Sequence, residues 1–237
     1  MYESLPLVVI AMEAEAAPVR KKLGLTGEGD LLAEGVSARL WSNESVHVVT
    51  NGSDSRFGVD AIGTLPASLT TFLAIQKTNP KIVISAGTCG GFIARDGFIG
   101  EITLADKCVF HDRRIPLEGF MNYGFGDFPV ADLNAIARGL GFKIGAVSTG
   151  DSLDSQPSDL DSMNSVNAVA KDMEAAAVAW VCALNDVPFT ALKVTTDLVD
   201  GEITTEEEFI RNLQYASNRL SEGILSLIHE LREFRTE

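Results

Sequence analysis

The chain predicts a three-layer α/β architecture built around a largely parallel sheet. Three observations carry that prediction. Residues 5–12 (LPLVVIAM) form an unbroken apolar run of the kind found in strands buried on both faces. Strand-like and helix-like segments alternate along the chain. The final segment places Phe209, Leu213, Ala216, Leu220, Ile224, Leu227 and Leu231 at intervals of three or four, one face of a long helix that packs across the sheet.

Taken in order, the strand at 5–12 leads into a helix running through about residue 23, and short strands follow at 38–41 and 46–50. A helical stretch covers 59–77, and Pro66 within it predicts a kink or a break. The strand at 81–86 runs into the Gly-rich turn Gly87-Thr88-Cys89-Gly90-Gly91. Strand 101–110, helix 132–140, strand 143–148, an alanine-rich helix at 173–184 and a strand at 189–195 ending at Asp197 complete the alternation. No internal repeat or low-complexity linker divides the chain, so residues 1–237 are expected to form a single domain.

Composition excludes several classes. Hydrophobic residues make up 46% and charged residues 22% of the 237 residues, proportions that allow a substantial core. A formal net charge of −14, with basic residues scattered in pairs, opposes binding to nucleic acid. Cys89, Cys108 and Cys182 are odd in number and widely spaced, which suits a reducing compartment without disulfides. The start Met1-Tyr2-Glu3-Ser4 carries no targeting pattern, and no apolar run reaches the roughly 20 residues of a membrane span. A cytoplasmic protein with no membrane partner is the expectation.

Four polar clusters fall just after predicted strands: Glu13-Ala14-Glu15, Gly87 to Gly91, Lys171-Asp172-Met173-Glu174, and Thr195-Thr196-Asp197. Crevices beyond strand ends are where such sheets bind ligands. Each cluster also has a structural reading. Glu13 and Glu15 suit a helix start, where acids meet the helix dipole, and one of them also suits a general base acting on water. The glycines admit close backbone approaches but lack the P-loop ending and the dinucleotide spacing, so nucleoside triphosphates and NAD rank low. Asp172, Met173 and Glu174 fit either a helix start or the grip on a ribose, with carboxylates for hydroxyls and a soft side chain for the sugar face. Asp197 and Asp200 fit a loop cap equally well. His111-Asp112 has no second histidine at ligand spacing, so no metal is expected. Cys89 reads as a small packed thiol in the absence of a paired histidine.

In this order, IAMEAEAAP, SAGTCGG, FHDRR, STGDSLD, KDMEAAAVA and VTTDLVDG resemble the 5'-methylthioadenosine nucleosidases, most closely the plant type. The resemblance covers nearly the whole chain. It implies a nucleoside phosphorylase-like fold with a central mixed, partly barrel-like sheet between helices, a homodimer, and no cofactor. The implied activity is hydrolysis of the N-glycosidic bond of methylthioadenosine in methionine salvage, with weaker action on S-adenosylhomocysteine. By position, Glu15 matches the general base and Asp197 the general acid beside adenine N7. Thr88 stands where bacterial relatives have a serine near ribose and water, Met173 and Glu174 match the residues that cover and bind the ribose, and Lys171 and Asp172 share that segment. Lys193 replaces a bacterial arginine, and Leu153 a phenylalanine beside adenine.

Chemistry agrees with these roles. Breaking a ribosyl–purine bond requires a protonated leaving group, a stabilised sugar cation and a nucleophile on the opposite face. Asp197 must therefore hold a proton near neutrality, which requires surroundings that raise its pKa, while Glu15 must stay ionised enough to polarise water. Two rivals stand beside this reading. One is a phosphorylase of the same fold, with Arg56 in the 52–58 segment as a phosphate contact, and the other is a non-catalytic nucleoside-binding or storage protein.

Overall fold

The computed structural model describes residues 4–233, so residues 1–3 of the N-terminal stretch discussed above lie outside the described residues. The first apolar run forms β1 (Pro6–Ile10), buried at every position. Its side chains alternate between two cores: Leu7 and Val9 join one, Val8 and Ile10 the other. That two-sided burial makes β1 a central strand, paired in parallel with β4 (His47–Thr50) on one side and with β7 (Ile82–Gly91) on the other.

Beyond β4 the sheet ends in β3 (Arg39–Ser42) and β2 (Asp30–Leu31), both antiparallel to their neighbours. Beyond β7 come β11 (Phe189–Leu198), β8 (Ile102–Phe110), β9 (Lys143–Thr149) and β10 (Ala170–Asp172). The short β10 also pairs antiparallel with β7, so these five strands close into a barrel from which the rest of the sheet extends. A small ribbon, β5 (Ser53–Asp54) with β6 (Val59–Asp60), stands apart.

Helices cover both faces. On one, α2 (Thr64–Thr78) packs with α6 (Ala175–Leu184), whose run of alanines permits close approach to the strands. On the other, α1 (Glu13–Lys22) packs with α7 (Thr205–Glu233), and α4 (Asn134–Leu140) joins them. The predicted apolar stripe of α7 buries Ala216, Leu220, Ile224 and Leu227 completely, and each large aliphatic side chain so buried stabilises the fold by about 1.5–3 kcal/mol. Two further short helices, α3 (Met121–Phe125) and α5 (Pro157–Ser165), lie in connections. Among the described residues no helix is long and apolar enough to cross a membrane.

Three expectations are corrected. The helical stretch expected at 59–77 is β6 followed by α2, which starts at Thr64; Pro66 lies in its first turn, where backbone N–H groups need no helical partner, and so produces no break. The Gly-rich segment 87–91 is the end of strand β7, not a turn. Asp172 ends strand β10 while its side chain serves the helix start, accepting the Glu174 and Ala175 N–H groups at the head of α6, and the strand expected at 189–195 continues through Leu198.

Candidate active site

The C-terminal ends of β1, β7, β10 and β11 converge on a cavity of about 660 Å³. Its wall includes Glu15, Thr88, Leu153, Lys171, Asp172, Met173, Glu174 and Asp197. The catalytic pair and six of the seven substrate-binding residues expected from sequence are thus brought together; Lys193 is not among the lining residues.

Glu15 is the third residue of α1, in its first turn shortly after β1, and is 3% exposed. Its Oε1 accepts hydrogen bonds from the Thr88 backbone N–H at 2.7 Å and the Thr88 hydroxyl at 2.6 Å. Two donors on one oxygen fix the carboxylate and leave Oε2 as the acceptor presented to the cavity. The Glu15 carboxylate packs against Gly87, where a Cβ would stand in contact at 3.4 Å from both of its oxygens. Glu13 takes the structural role instead: it is half exposed, pairs with Arg20, and Arg20 stacks over Trp41.

Asp197 reaches the cavity through a bulge. The register of β11 against β7 pairs Thr195 with Cys89 and then Asp197 with Gly90, skipping Thr196. Such a bulge re-aims a side chain at a strand end. Space for it comes from a glycine, because a Cβ on Gly90 would lie 2.9 Å from Asp197 Oδ2 and 2.7 Å from Val199. Burial raises the Asp197 pKa, opposed by the Thr196 hydroxyl and Lys171. The Thr196 hydroxyl lies 2.8 Å from Asp197 Oδ1 and 3.2 Å from the Cys89 carbonyl. It has one proton for two acceptors, so a protonated Asp197 that donates to Thr196 lets both bonds form at once.

Glu174 accepts the Gly63 N–H on Oε1 at 3.0 Å. Burial, with Asp172 and Glu15 adding to it and Lys193 opposing it, pushes its carboxyl up to about 7. Asp172, by contrast, is occupied: it accepts from Thr149 Oγ1 at 2.5 Å and from the backbone N–H of Ala175 at 2.8 Å and of Glu174 at 3.3 Å, and pairs with Lys193 at 2.7 Å. It borders the cavity but caps α6 from within. Lys193 lies behind that wall, fully buried; burial works against its charge, and the acids Asp172 and Glu174 outweigh it and raise its pKa. Lys193, expected at the substrate, is placed outside the cavity wall as the counterion of Asp172. Lys171 is likewise tethered, donating to the carbonyls of Ser152 and Leu153 at 2.8 and 2.7 Å, with its pKa lowered by burial. Through them it presents Leu153 to the cavity.

The remaining motifs serve the frame. Asp200 accepts the N–H groups of Ile93 and Ala94, the cap role considered for it. His111 is buried beside Ser148, and Asp112 accepts the Asp151 N–H. Cys89 is buried, and burial raises its thiol pKa, as for a packed residue rather than a nucleophile. Arg56 is exposed and paired with Asp54, and is not among the lining residues.

Sequence reasoning missed Asp60 and Ile62, hidden inside the presumed helix, and Phe209, read as part of the apolar stripe of α7 although it lines the cavity. It missed Thr196 as well. The Thr195-Thr196-Asp197 cluster was visible, but nothing in it announces a bulge.

Comparison with known proteins places these features in a group. Residues 7–229 match the phosphorylase superfamily. The 5'-methylthioadenosine nucleosidase of Arabidopsis thaliana is 45% identical over 210 residues, covering 86% of this chain and 79% of that protein. The 5'-methylthioadenosine/S-adenosylhomocysteine nucleosidase of the same plant is 37% identical over 232 residues, covering 93% and 89%. The apo structure of Arabidopsis thaliana 5'-methylthioadenosine nucleosidase superposes with a TM-score of 0.92 at 40% identity, over 99% of this chain and 97% of that one.

Proposed function

The chain belongs to the phosphorylase superfamily, in its 5'-methylthioadenosine nucleosidase branch, and on that footing we propose that it hydrolyses 5'-methylthioadenosine to adenine and 5-methylthioribose. Glu15 Oε2 takes a proton from the water that attacks the anomeric carbon. Asp197 gives its proton to adenine N7, so the base leaves neutral as the carbon–nitrogen bond breaks. Glu174 accepts the ribose hydroxyls with its second oxygen, Met173 covers the sugar, and the negative charge of Glu174 favours the oxocarbenium-like transition state. Leu153 lies against the adenine.

One observation favours water over phosphate as the nucleophile. Among the described residues the cavity wall holds five acidic side chains, Glu15, Asp60, Asp172, Glu174 and Asp197, against the single cation Lys171, whose ammonium is tethered to two carbonyls. A phosphate dianion requires the opposite arrangement. The same charge balance, with apolar Met12, Val59, Ile62 and Phe209 nearby, supports a methylthio group over the amino-acid tail of adenosylhomocysteine, whose carboxylate meets no free cation among the described residues of the wall.

The reaction suits methionine salvage and a cytoplasmic setting. The assembly we propose is a homodimer through α2, where Leu65, Leu69 and Phe72 form an exposed apolar stripe, Leu65 being 81% exposed.

The test is adenine release from methylthioadenosine in phosphate-free buffer, repeated with phosphate and with adenosylhomocysteine. Release without phosphate is expected. Release only with phosphate, accompanied by a sugar 1-phosphate, overturns hydrolysis in favour of phosphorolysis, and no release in either buffer leaves a binding protein.

A further inference from the structure

Helix α2 begins without a cap of its own. Its N-cap position is Gly63, at φ 95°, with no side chain to satisfy the first N–H groups. The missing acceptor comes from the loop after β9: Asp151 Oδ1 accepts the Thr64 N–H at 2.7 Å, and Oδ2 accepts the Thr64 hydroxyl at 2.6 Å. Gly63 is required twice over, for its positive φ and because a Cβ would lie 2.6 Å from Asp151 Oδ1. Asp151 is held in turn, its own N–H donated to Asp112 Oδ2 at 2.7 Å.

Gly63 is also the residue whose N–H meets Glu174 Oε1 at 3.0 Å. The segment 111–112, the loop at 150–151, the start of α2 and Glu174 thus form one connected line of hydrogen bonds. We infer that Asp151 is a positioning residue for ribose binding: by capping α2 from a neighbouring loop, it holds the Gly63 N–H against Glu174 and keeps the second carboxylate oxygen aimed at the sugar. Asp151 is exposed and absent from the cavity wall, so it exerts this effect without touching substrate. The inference rests on the reading of Glu174 as the ribose acceptor.

Steady-state kinetics of the full chain with methylthioadenosine test it. Asp151→Ala is expected to raise KM roughly tenfold with kcat changed by less than about threefold, the scale of one lost cap. Asp151→Asn keeps an oxygen for the Thr64 N–H and is expected to restore KM to within about threefold of the parent. In a Glu174→Ala background, Asp151→Ala is expected to change kcat/KM by less than about twofold, because the group it positions is gone. An unchanged KM in Asp151→Ala, alongside a raised KM in Glu174→Ala, overturns the positioning role while leaving the ribose reading intact. So does an undiminished Asp151→Ala effect in the Glu174→Ala background. If Glu174→Ala itself leaves KM unchanged, the ribose reading fails first and the inference fails with it.

Discussion

At the scale of single residues, the site works by giving like groups unlike surroundings. Glu15 and Asp197 are both nearly inaccessible carboxylates, yet one receives two hydrogen bonds on a single oxygen while the other is left with burial as the dominant influence. Asp197→Asn, which removes the transferable proton, and Glu15→Gln, which removes the base, are each expected to lower kcat by about 10²–10⁴-fold with thermal stability nearly unchanged, checked by adenine release and melting curves. Glu174 invites a stability measurement. Its folded pKa of about 7 lies above the ordinary glutamate value, so the native state loses stability as pH rises from the unfolded pKa toward 7. Glu174→Gln, which cannot ionise, is expected to melt higher than the parent above pH 7, by on the order of 1–3 kcal/mol, with the gap closing below about pH 4.5; urea titrations at pH 4.5 and 8 check this.

At the scale of elements, β7 is the organising strand. Its glycines are legible as a cluster but not as a strand, because glycine is usually depleted there; here Gly90 clears space for Asp197 and Val199. Gly90→Ala is therefore expected to lower kcat at least about tenfold and to cost roughly 1–3 kcal/mol of stability through overpacking against Asp197 and Val199, measured by turnover and denaturant midpoint. The unbroken apolar run of β1 and the apolar stripe of α7 are legible in the sequence because both patterns report burial directly. The three-residue β10 is not, since Ala170–Asp172 carries two charges whose burial depends on partners far along the chain. Serine, aspartate and asparagine hide helix α5, and Val59 to Ile62 continue the apolar pattern of α2 on the far side of Gly63, where the helix stops. Within the site, the residues reaching the cavity from strand ends were found by motif. Asp60, Phe209 and the capping Asp151 depend on how loops fold back, which local spacing does not encode.

At the scale of the whole molecule, two cores flank one sheet, and the cavity opens where the barrel meets the strands that extend from it. The exposed stripe on α2 lies on the helix whose first turn supports Glu174, so self-association through it would stiffen the ribose side of the site. Leu65→Asp is expected to convert a dimer into a monomer in sedimentation velocity, whereas a parent protein that is already monomeric rules out this interface.

The closure of the barrel has a consequence for the order of events during folding. Residues 170 and 171 complete the seam against Gly91 and Gly90, about eighty positions earlier in the chain, and β11 pairs with β7 across about a hundred. Such distant pairings form late because chain entropy opposes them until nearer contacts are made. On refolding from denaturant, helical circular dichroism should therefore recover before adenine release does.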